Sequence, residues 1–169
     1  MKEDEPKPAI TIVEYSDEYK DQVRDVIGKT LADIEVIDPA TLPIDDPDLD
    51  SIEKEYSGNG RFWVALREGK VVGTVGVRDG GNQVAKLKRM FVLVDQHGSG
   101  IGQQLLDTAT DFAEQEGYKK MVLNTHEKMQ RAHKFYERNG FLQTDKTGDK
   151  IHYEKNLLST AKAINNLRH

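Results

Sequence analysis

Hydrophobic residues change their spacing along the chain, and each change predicts a new element of secondary structure. β-branched residues dominate residues 10–13, which predicts a short strand. Val23, Val26, Ile27 and Leu31 then recur at the spacing of an amphipathic helix. The chain is therefore predicted to begin with a strand and a helix.

The following segment lacks this regularity, because Pro39, Pro43 and Pro47 lie close together within residues 38–50. Prolines at this density predict a loop or a broken helix. A connection of this length inside a compact domain often has a functional role.

Three strands are predicted next. Apolar runs at residues 61–66 and 71–77 flank a short turn, which is typical of a β-hairpin. A second turn at residues 79–82 leads into a third run at residues 84–92. The simplest arrangement of these runs is an antiparallel meander.

Helices and strands alternate in the second half. Apolar positions from Ile101 to Ala113 form one helical face, which Gly117 ends. Residues 121–123 form a short apolar strand. Because this strand follows a strand–helix unit, we expect it to run parallel to residues 84–92.

The remaining elements complete a single α/β (or α+β) domain with a mixed sheet. A helix is predicted over residues 128–138, where Asn139 and Gly140 end it. Phe141 begins another strand, and residues 151–153 close the sheet. We expect the domain to cover residues 10–156, after a flexible N-terminus over residues 1–9.

Composition narrows the class of protein. With 37% hydrophobic and 31% charged residues, the 169-residue chain is globular rather than disordered. It has no apolar run of the ~20 residues that a membrane span needs, so we expect no membrane contact. The polar residues 1–8 do not resemble a signal peptide. The absence of cysteine excludes disulfides and thiolate metal ligands, so we expect a cytoplasmic protein without a metal site.

The net charge of −5 argues against a nucleic-acid binder. Its distribution is uneven, with nine carboxylates in residues 33–55 and a basic excess in residues 119–138. The acidic set is Asp33, Glu35, Asp38, Asp45, Asp46, Asp48, Asp50, Glu53 and Glu55. Both segments are either solvated faces or sites for ligands of opposite charge.

A glycine-rich turn, His97-Gly98-Ser99-Gly100-Ile101-Gly102, joins the third predicted strand of the meander to the next helix. Glycines let backbone amides approach a phosphate, and the start of a helix adds its positive dipole end. A diphosphate therefore fits here. A Walker A loop is excluded because Gln103 and Gln104 follow the last glycine, and the antiparallel approach disfavours a dinucleotide fingerprint. The other interpretation is a turn that only packs the helix against the sheet.

Two motifs resemble those of the GNAT (GCN5-related N-acetyltransferase) superfamily. Leu87-Lys88-Arg89-Met90-Phe91-Val92 and the glycine turn resemble the family's cofactor motif, with His97 where arginine or glutamine is usual. Ala132-His133-Lys134-Phe135-Tyr136-Glu137-Arg138-Asn139-Gly140-Phe141 resembles its Ala-x-x-Phe-Tyr-x-x-x-Gly-Phe signature. The resemblance runs from about Val71 to Phe141.

The resemblance implies a GNAT-like fold with six to seven strands, about four helices and splayed central strands. It also implies transfer of an acetyl group from acetyl-CoA to a primary amine by direct attack. The backbone of Met90, Phe91 and Val92 would hold the pantetheine arm, with the Val92 amide facing the thioester oxygen. The amides of Gly98, Gly100 and Gly102 would bind the pyrophosphate, and Ser99 and Gln103 would add side-chain contacts. His97 and Ile101 belong to the same cofactor-binding turn. Arg131 and Lys134 could reach the CoA phosphates.

Tyr136 is the candidate general acid for the departing thiolate. The alternative is a core aromatic, because Met129, Ala132, Phe135 and Tyr136 share helical spacing. Asn124 follows the short strand and either binds the pantetheine or simply ends the strand. The sequence does not identify a general base. The strand glutamate that many relatives use for this role has no counterpart here, so His126, His133 and Glu127 are the candidates.

The acceptor is not determined by these motifs. The acidic segment at residues 33–55 favours a cationic amine, such as a polyamine, an aminoglycoside, an amino acid amine or a protein amino group. A CoA-binding regulatory module and a structural domain are the rival functions. Residues 157–169 have near-helical apolar spacing and are expected to form a terminal helix, packed on the domain or on a second subunit of a homodimer.

Overall fold

The computed structural model describes residues 8–42 and 47–157. Its strands are β1 (Ile10–Glu14), β2 (Arg61–Arg67), β3 (Lys70–Asp79), β4 (Val84–Val92), β5 (Lys120–His126), β6 (Leu142–Thr147) and β7 (Lys150–Asn156). Its α-helices are α1 (Lys20–Asp33), α2 (Pro47–Asp50), α3 (Ile52–Glu55), α4 (Ile101–Gln115) and α5 (Gln130–Arg138). Of the proline-bearing residues 38–50, predicted as a loop or a broken helix, Pro39–Thr41 forms a 3-10 turn and Pro47–Asp50 forms α2, while residues 43–46 lie outside the described residues.

The strands form one seven-stranded mixed sheet in the order β1-β2-β3-β4-β5-β7-β6. The meander from β2 to β4 and the parallel return of β5 beside β4 are confirmed. The expectation that the last strand closes the sheet is wrong, because β7 lies between β5 and β6. Tyr153 of β7 is buried, whereas every residue of β6 is exposed, so the apolar strand takes the inner position.

Helices cover both faces of the sheet. One core, on the α4 side, includes Leu105, Ala109 and Trp63. The other core, on the α1 side, packs Val23 and Ile27 against strand residues and against α2 and α3. The sheet is thus the middle layer of an α/β domain, which confirms the predicted fold class.

Two glycines of β3 let these layers approach closely. A Cβ atom at Gly73 would lie 2.9 Å from the Leu105 side chain and 3.2 Å from the Phe91 carbonyl oxygen. A Cβ atom at Gly76 would lie 2.6 Å from the Tyr56 ring. Any larger residue would therefore push a helix or a ring away from the sheet.

The two central strands separate partway along their length, as the resemblance implies. Pairing between β4 and β5 ends at Lys86 and Val122, although both strands continue. Beyond that point, β4 contains a bulge in which Arg89 has a φ of 54°. The hydroxyl of Thr74 donates to the Arg89 carbonyl at 2.7 Å and holds the bulge in place. The result is a wedge-shaped opening in the middle of the sheet.

The predicted chain ends fall largely outside the described residues, namely residues 1–7 and 158–169. Leu157 is described: its side chain is buried, and its amide donates to the Lys119 carbonyl at 2.8 Å. The bounds of the domain therefore stay a prediction. None of the helices in the described part of the chain is long and apolar enough to cross a membrane.

Candidate functional site

The glycine turn presents backbone amides at the start of α4. Gly98 and Gly100 both have a φ of 83°, a conformation that glycine adopts without strain. Gly100 is the N-cap residue and has no side chain to bond the first amides of the helix. No described carbonyl accepts from the amides of Ile101, Gly102 and Gln103. These amides are therefore available to an anion at the positive end of the helix dipole.

The polar side chains of the turn are already engaged within the protein. His97 donates from Nε2 to the Val92 carbonyl at 3.1 Å. The Ser99 hydroxyl donates to the carbonyl of Gln96. The Gln103 amide donates to Asp107 and Asn139, each at 2.9 Å, and so ties α4 to α5. Phosphate binding at this turn accordingly depends on the backbone more than on these side chains.

A groove of about 440 Å³ runs between the turn, the end of β4 and α5. It is lined by the predicted residues Met90, Phe91, Val92, His97, Gly98, Gly100, Ile101, Gly102, Gln103 and Tyr136. Thr30 of α1 and Ile34, which directly follows α1, also line it. The volume lies within the range of small-molecule and cofactor sites.

The charge of this groove is entirely positive among its described lining residues. Lys128, Arg131 and Arg138 line it, and no carboxylate does. The basic segment predicted from the sequence therefore faces the site, although Lys134 is absent from the lining. Such a surface favours a ligand that carries several phosphate charges.

Two predicted cofactor residues lie elsewhere. Ser99 does not line the groove; its hydroxyl turns back to the loop. Asn124 lines a second cavity, not the groove. Because side chains alternate along a strand, Asn124 points away from the face that holds the buried Leu123 and Thr125.

The second cavity has a volume of about 490 Å³ and lies in the opening between β4 and β5. Its lining includes Leu31, Val36, Asp48, Arg78, Leu87, Lys88, Arg89, Leu123, Asn124, Thr125, His126 and Lys150. Helices α1, α2 and α5 and four strands thus contribute to one space, and its volume lies within the range of small-molecule sites.

Four residues line both the groove and the second cavity: Met90, Phe91, Met129 and Tyr136. Tyr136 is only 6% exposed, and its hydroxyl makes no hydrogen bond with any described residue. Burial raises the pKa of this phenol, so it stays protonated at neutral pH. The groove and the cavity therefore share a side chain whose hydroxyl is protonated.

The three candidate general bases either already have hydrogen-bond partners or line neither the groove nor the second cavity. His126 lines the second cavity, but its Nδ1 accepts from the Lys128 amide and its Nε2 lies 3.1 Å from the Asp149 carboxylate. Neither ring nitrogen is left with a free lone pair. His133 and Glu127 line neither space, and Glu127 pairs with Lys146 at 3.0 Å.

Three carboxylates of the acidic segment form ion pairs with arginines of the same chain. Asp48 pairs with Arg89, Asp50 with Arg24, and Glu55 with Arg78. Asp45 and Asp46 lie outside the described residues. Three carboxylates of the segment on which a cationic acceptor was predicted are thus paired with arginines, which makes them less available to such an acceptor.

Several lining residues were not singled out from the sequence. Thr30 and Ile34 carry no local signal, since Thr30 belongs to an ordinary amphipathic helix and Ile34 directly follows it. Lys88 did carry a local signal. Ala85 and Leu87 belong to the α4-side core, and side chains alternate along a strand, so the Lys88 side chain had to face the opposite side of the sheet. The charge of the second cavity could therefore have been read in part from β4.

Comparison with known proteins identifies the family to which this chain is similar. A family model described as "Acetyltransferase (GNAT) family" matches residues 31–141. A crystal structure of an acetyltransferase of the GNAT family from Staphylococcus aureus Mu50 superposes with a TM-score of 0.80 at 30% identity, and the match covers 88% of this chain and 99% of that one.

Two relatives from Xenopus tropicalis match over 99 residues. A probable N-acetyltransferase camello is 41% identical, and the match covers 56% of this chain and 45% of the relative. An N-acetylaspartate synthetase is 40% identical, with 56% and 36% covered. The matched segment thus spans less than half the length of either relative.

Proposed function

Because the chain belongs to the acetyltransferase (GNAT) family, we propose that it transfers the acetyl group of acetyl-CoA to a primary amine. The observation that carries this proposal is the wall shared by the two spaces: Tyr136 lines both the basic groove and the second cavity. A donor in one space and an acceptor in the other would meet at its hydroxyl.

The groove supplies what the donor needs. The free amides of Ile101, Gly102 and Gln103 donate hydrogen bonds to the pyrophosphate, and Lys128, Arg131 and Arg138 balance the remaining phosphate charge. The pantetheine arm then follows the apolar wall along Met90–Val92 toward Tyr136. His97 now bonds the Val92 carbonyl, so it has to rotate away wherever the pantetheine uses that oxygen.

The reaction is a direct substitution at the thioester carbon. The neutral amine attacks the carbonyl, the C–N bond forms, and negative charge develops on the carbonyl oxygen beside the Val92 amide. The C–S bond then breaks, and the Tyr136 hydroxyl donates its proton to the departing thiolate. The attacking nitrogen loses one proton to water, because both nitrogens of His126 are engaged, and water returns a proton to the Tyr136 phenolate.

The first experiment separates binding from turnover. Acetyl-CoA at about 100 times its Kd should stabilise the fold by about 2.7 kcal/mol, seen as a rise in Tm. CoA release is then measured with a panel of amines that includes aspartate, because one relative is named N-acetylaspartate synthetase. Stabilisation without thiol release on any amine would indicate a CoA-binding module, and the absence of stabilisation would overturn the proposal altogether.

A further inference from the structure

The second cavity is more basic than an acceptor site for an amine requires. Among its described lining residues are four cations, Arg78, Lys88, Arg89 and Lys150, and a single carboxylate, Asp48. A free primary amine is itself readily protonated, so a surplus of cations would repel it. The surplus points to an additional, negatively charged group on the acceptor.

Two of the four cations have protein partners. Arg89 donates to Asp48 through both Nε and Nη2, at 3.1 and 2.6 Å. Arg78 pairs with Glu55 at 3.1 Å and lies over the ring of Tyr56. These pairs fix the walls of the cavity.

Lys88 and Lys150 form no salt bridge with any described carboxylate. Lys150 is exposed at the start of β7, whereas Lys88 is half-buried on β4. Burial lowers the pKa of the Lys88 ammonium, and the charges of Arg89, Arg78 and Lys86 lower it further. An anion beside Lys88 would relieve both effects.

We propose that the second cavity takes small primary amines that also carry an acid group, a carboxylate or a phosphonate, and that the Lys88 ammonium binds that group. The cavity of about 490 Å³ matches a small molecule rather than a polymer. This inference rests on the transferase activity proposed above, because it assigns the acceptor of that reaction. It replaces the cationic acceptor predicted from the acidic segment.

The same charges would assist the chemistry. The cations that Lys88→Gln would leave in place, Arg78, Arg89 and Lys150, lower the pKa of a bound ammonium, so a larger fraction of the acceptor is present as the unprotonated, nucleophilic amine. An acid group anchored at Lys88 keeps the acceptor in place while its amine loses the proton. A polyamine, with several ammonium groups and no acid, would gain nothing from this cavity and would be excluded by it.

Matched acceptors and variants test the proposal. The acceptors with an acid group are glycine, L-aspartate and 2-aminoethylphosphonate. Glycinamide and ethanolamine are their counterparts without an acid group, and putrescine is the diamine. For each, kcat/KM is measured in wild type, Lys88→Gln, Lys88→Arg and Lys86→Gln. Lys86 is the matched control, since it is an exposed lysine two positions earlier on β4 and lines neither space.

We expect Lys88→Gln to lower kcat/KM at least about tenfold for the acceptors with an acid group. For glycinamide and ethanolamine, which have none, kcat/KM should fall less than about twofold. Lys88→Arg should keep most of the activity on acids, and Lys86→Gln should change neither class. Because each ratio compares variants on one acceptor, intrinsic differences between the amines cancel. Equal losses on acids and neutral amines, or a wild-type preference for putrescine, would overturn the proposal.

A binding measurement separates this inference from the transferase activity. If wild type acetylates no amine in the panel, the proposed function fails, and calorimetric titration with L-aspartate in the presence of CoA then tests Lys88 directly. Aspartate binding that Lys88→Gln weakens at least about tenfold would support the anion site. Absence of aspartate binding to wild type would overturn it.

Discussion

Arg89 on the bulge of β4 donates two hydrogen bonds to the carboxylate of Asp48 on α2, at 3.1 Å from Nε and 2.6 Å from Nη2. Both side chains are about one fifth exposed. The pair joins the most irregular part of the central sheet to the acidic segment and forms a wall of the second cavity. A paired, partly buried carboxylate of this kind is linked to the stability of the fold.

Asp48→Asn is expected to destabilise the protein by about 1–3 kcal/mol at pH 7, because it weakens a charge-assisted pair. Burial raises the pKa of the Asp48 carboxyl, but the hydrogen bond and charge of Arg89 lower it by more, so it lies below its ordinary value. The stabilisation is therefore fully present above a pH of about 4 and is lost as the pH falls through the lowered pKa. Urea unfolding of both proteins between pH 7 and pH 3 measures this difference.

Asp50→Asn is the control for that experiment, since Asp50 pairs with Arg24 at an exposed position. It should cost less than about 1 kcal/mol. A stability gap between wild type and Asp48→Asn that stays constant down to the lowest pH would contradict the role of this ion pair.

Tyr136→Phe is expected to lower kcat by about a hundredfold while acetyl-CoA still stabilises the fold. The hydroxyl makes no hydrogen bond with a described residue, so its removal leaves the packing of the ring intact. Single-turnover acetylation measures the chemical step. Tyr153→Phe is the control, because Tyr153 packs beside Tyr136 but lines neither space. An unchanged single-turnover rate in Tyr136→Phe would remove the general acid from the mechanism.

Gly102→Ala separates cofactor approach from folding. Its added Cβ would lie 3.8–3.9 Å from the side chains of Phe135, Met90 and Val92, which is ordinary contact. Stability should hold or rise slightly, since alanine favours helix by about 1 kcal/mol. The methyl group would nevertheless enter the groove, so we expect the Kd for acetyl-CoA to rise about tenfold. Gln104→Ala, on an exposed position of the same turn, should leave it unchanged.

Gly73→Ala is expected to lower the free energy of unfolding by about 1–3 kcal/mol. The new methyl group would meet the Leu105 side chain at 2.9 Å and the Phe91 carbonyl at 3.2 Å, and the carbonyl cannot move without disturbing β4. Urea unfolding measures the loss. A variant as stable as wild type would mean that α4 shifts away from the sheet without cost.

Much of the architecture follows from local patterns. The period of apolar residues predicts α1, the β2–β3–β4 meander and α4, because a strand and a helix each expose a face at a fixed spacing. The position of β7 could not be read this way. Strand order depends on which strand buries more apolar surface, and Tyr153 gains that burial only once β5 is in place.

The sequence by itself determined the glycine turn and the Phe135-Tyr136 motif, since both rest on contiguous residues with a fixed backbone role. Only the tertiary structure decided what surrounds them. The end of β4–β5 pairing at Lys86 and Val122 opens the second cavity, and the paths of α2, β3 and β7 bring Asp48, Arg78 and Lys150 to it. Charges distant in sequence add up only when the fold brings them together. For that reason the acidic segment, read alone, could not show the basic lining of the second cavity.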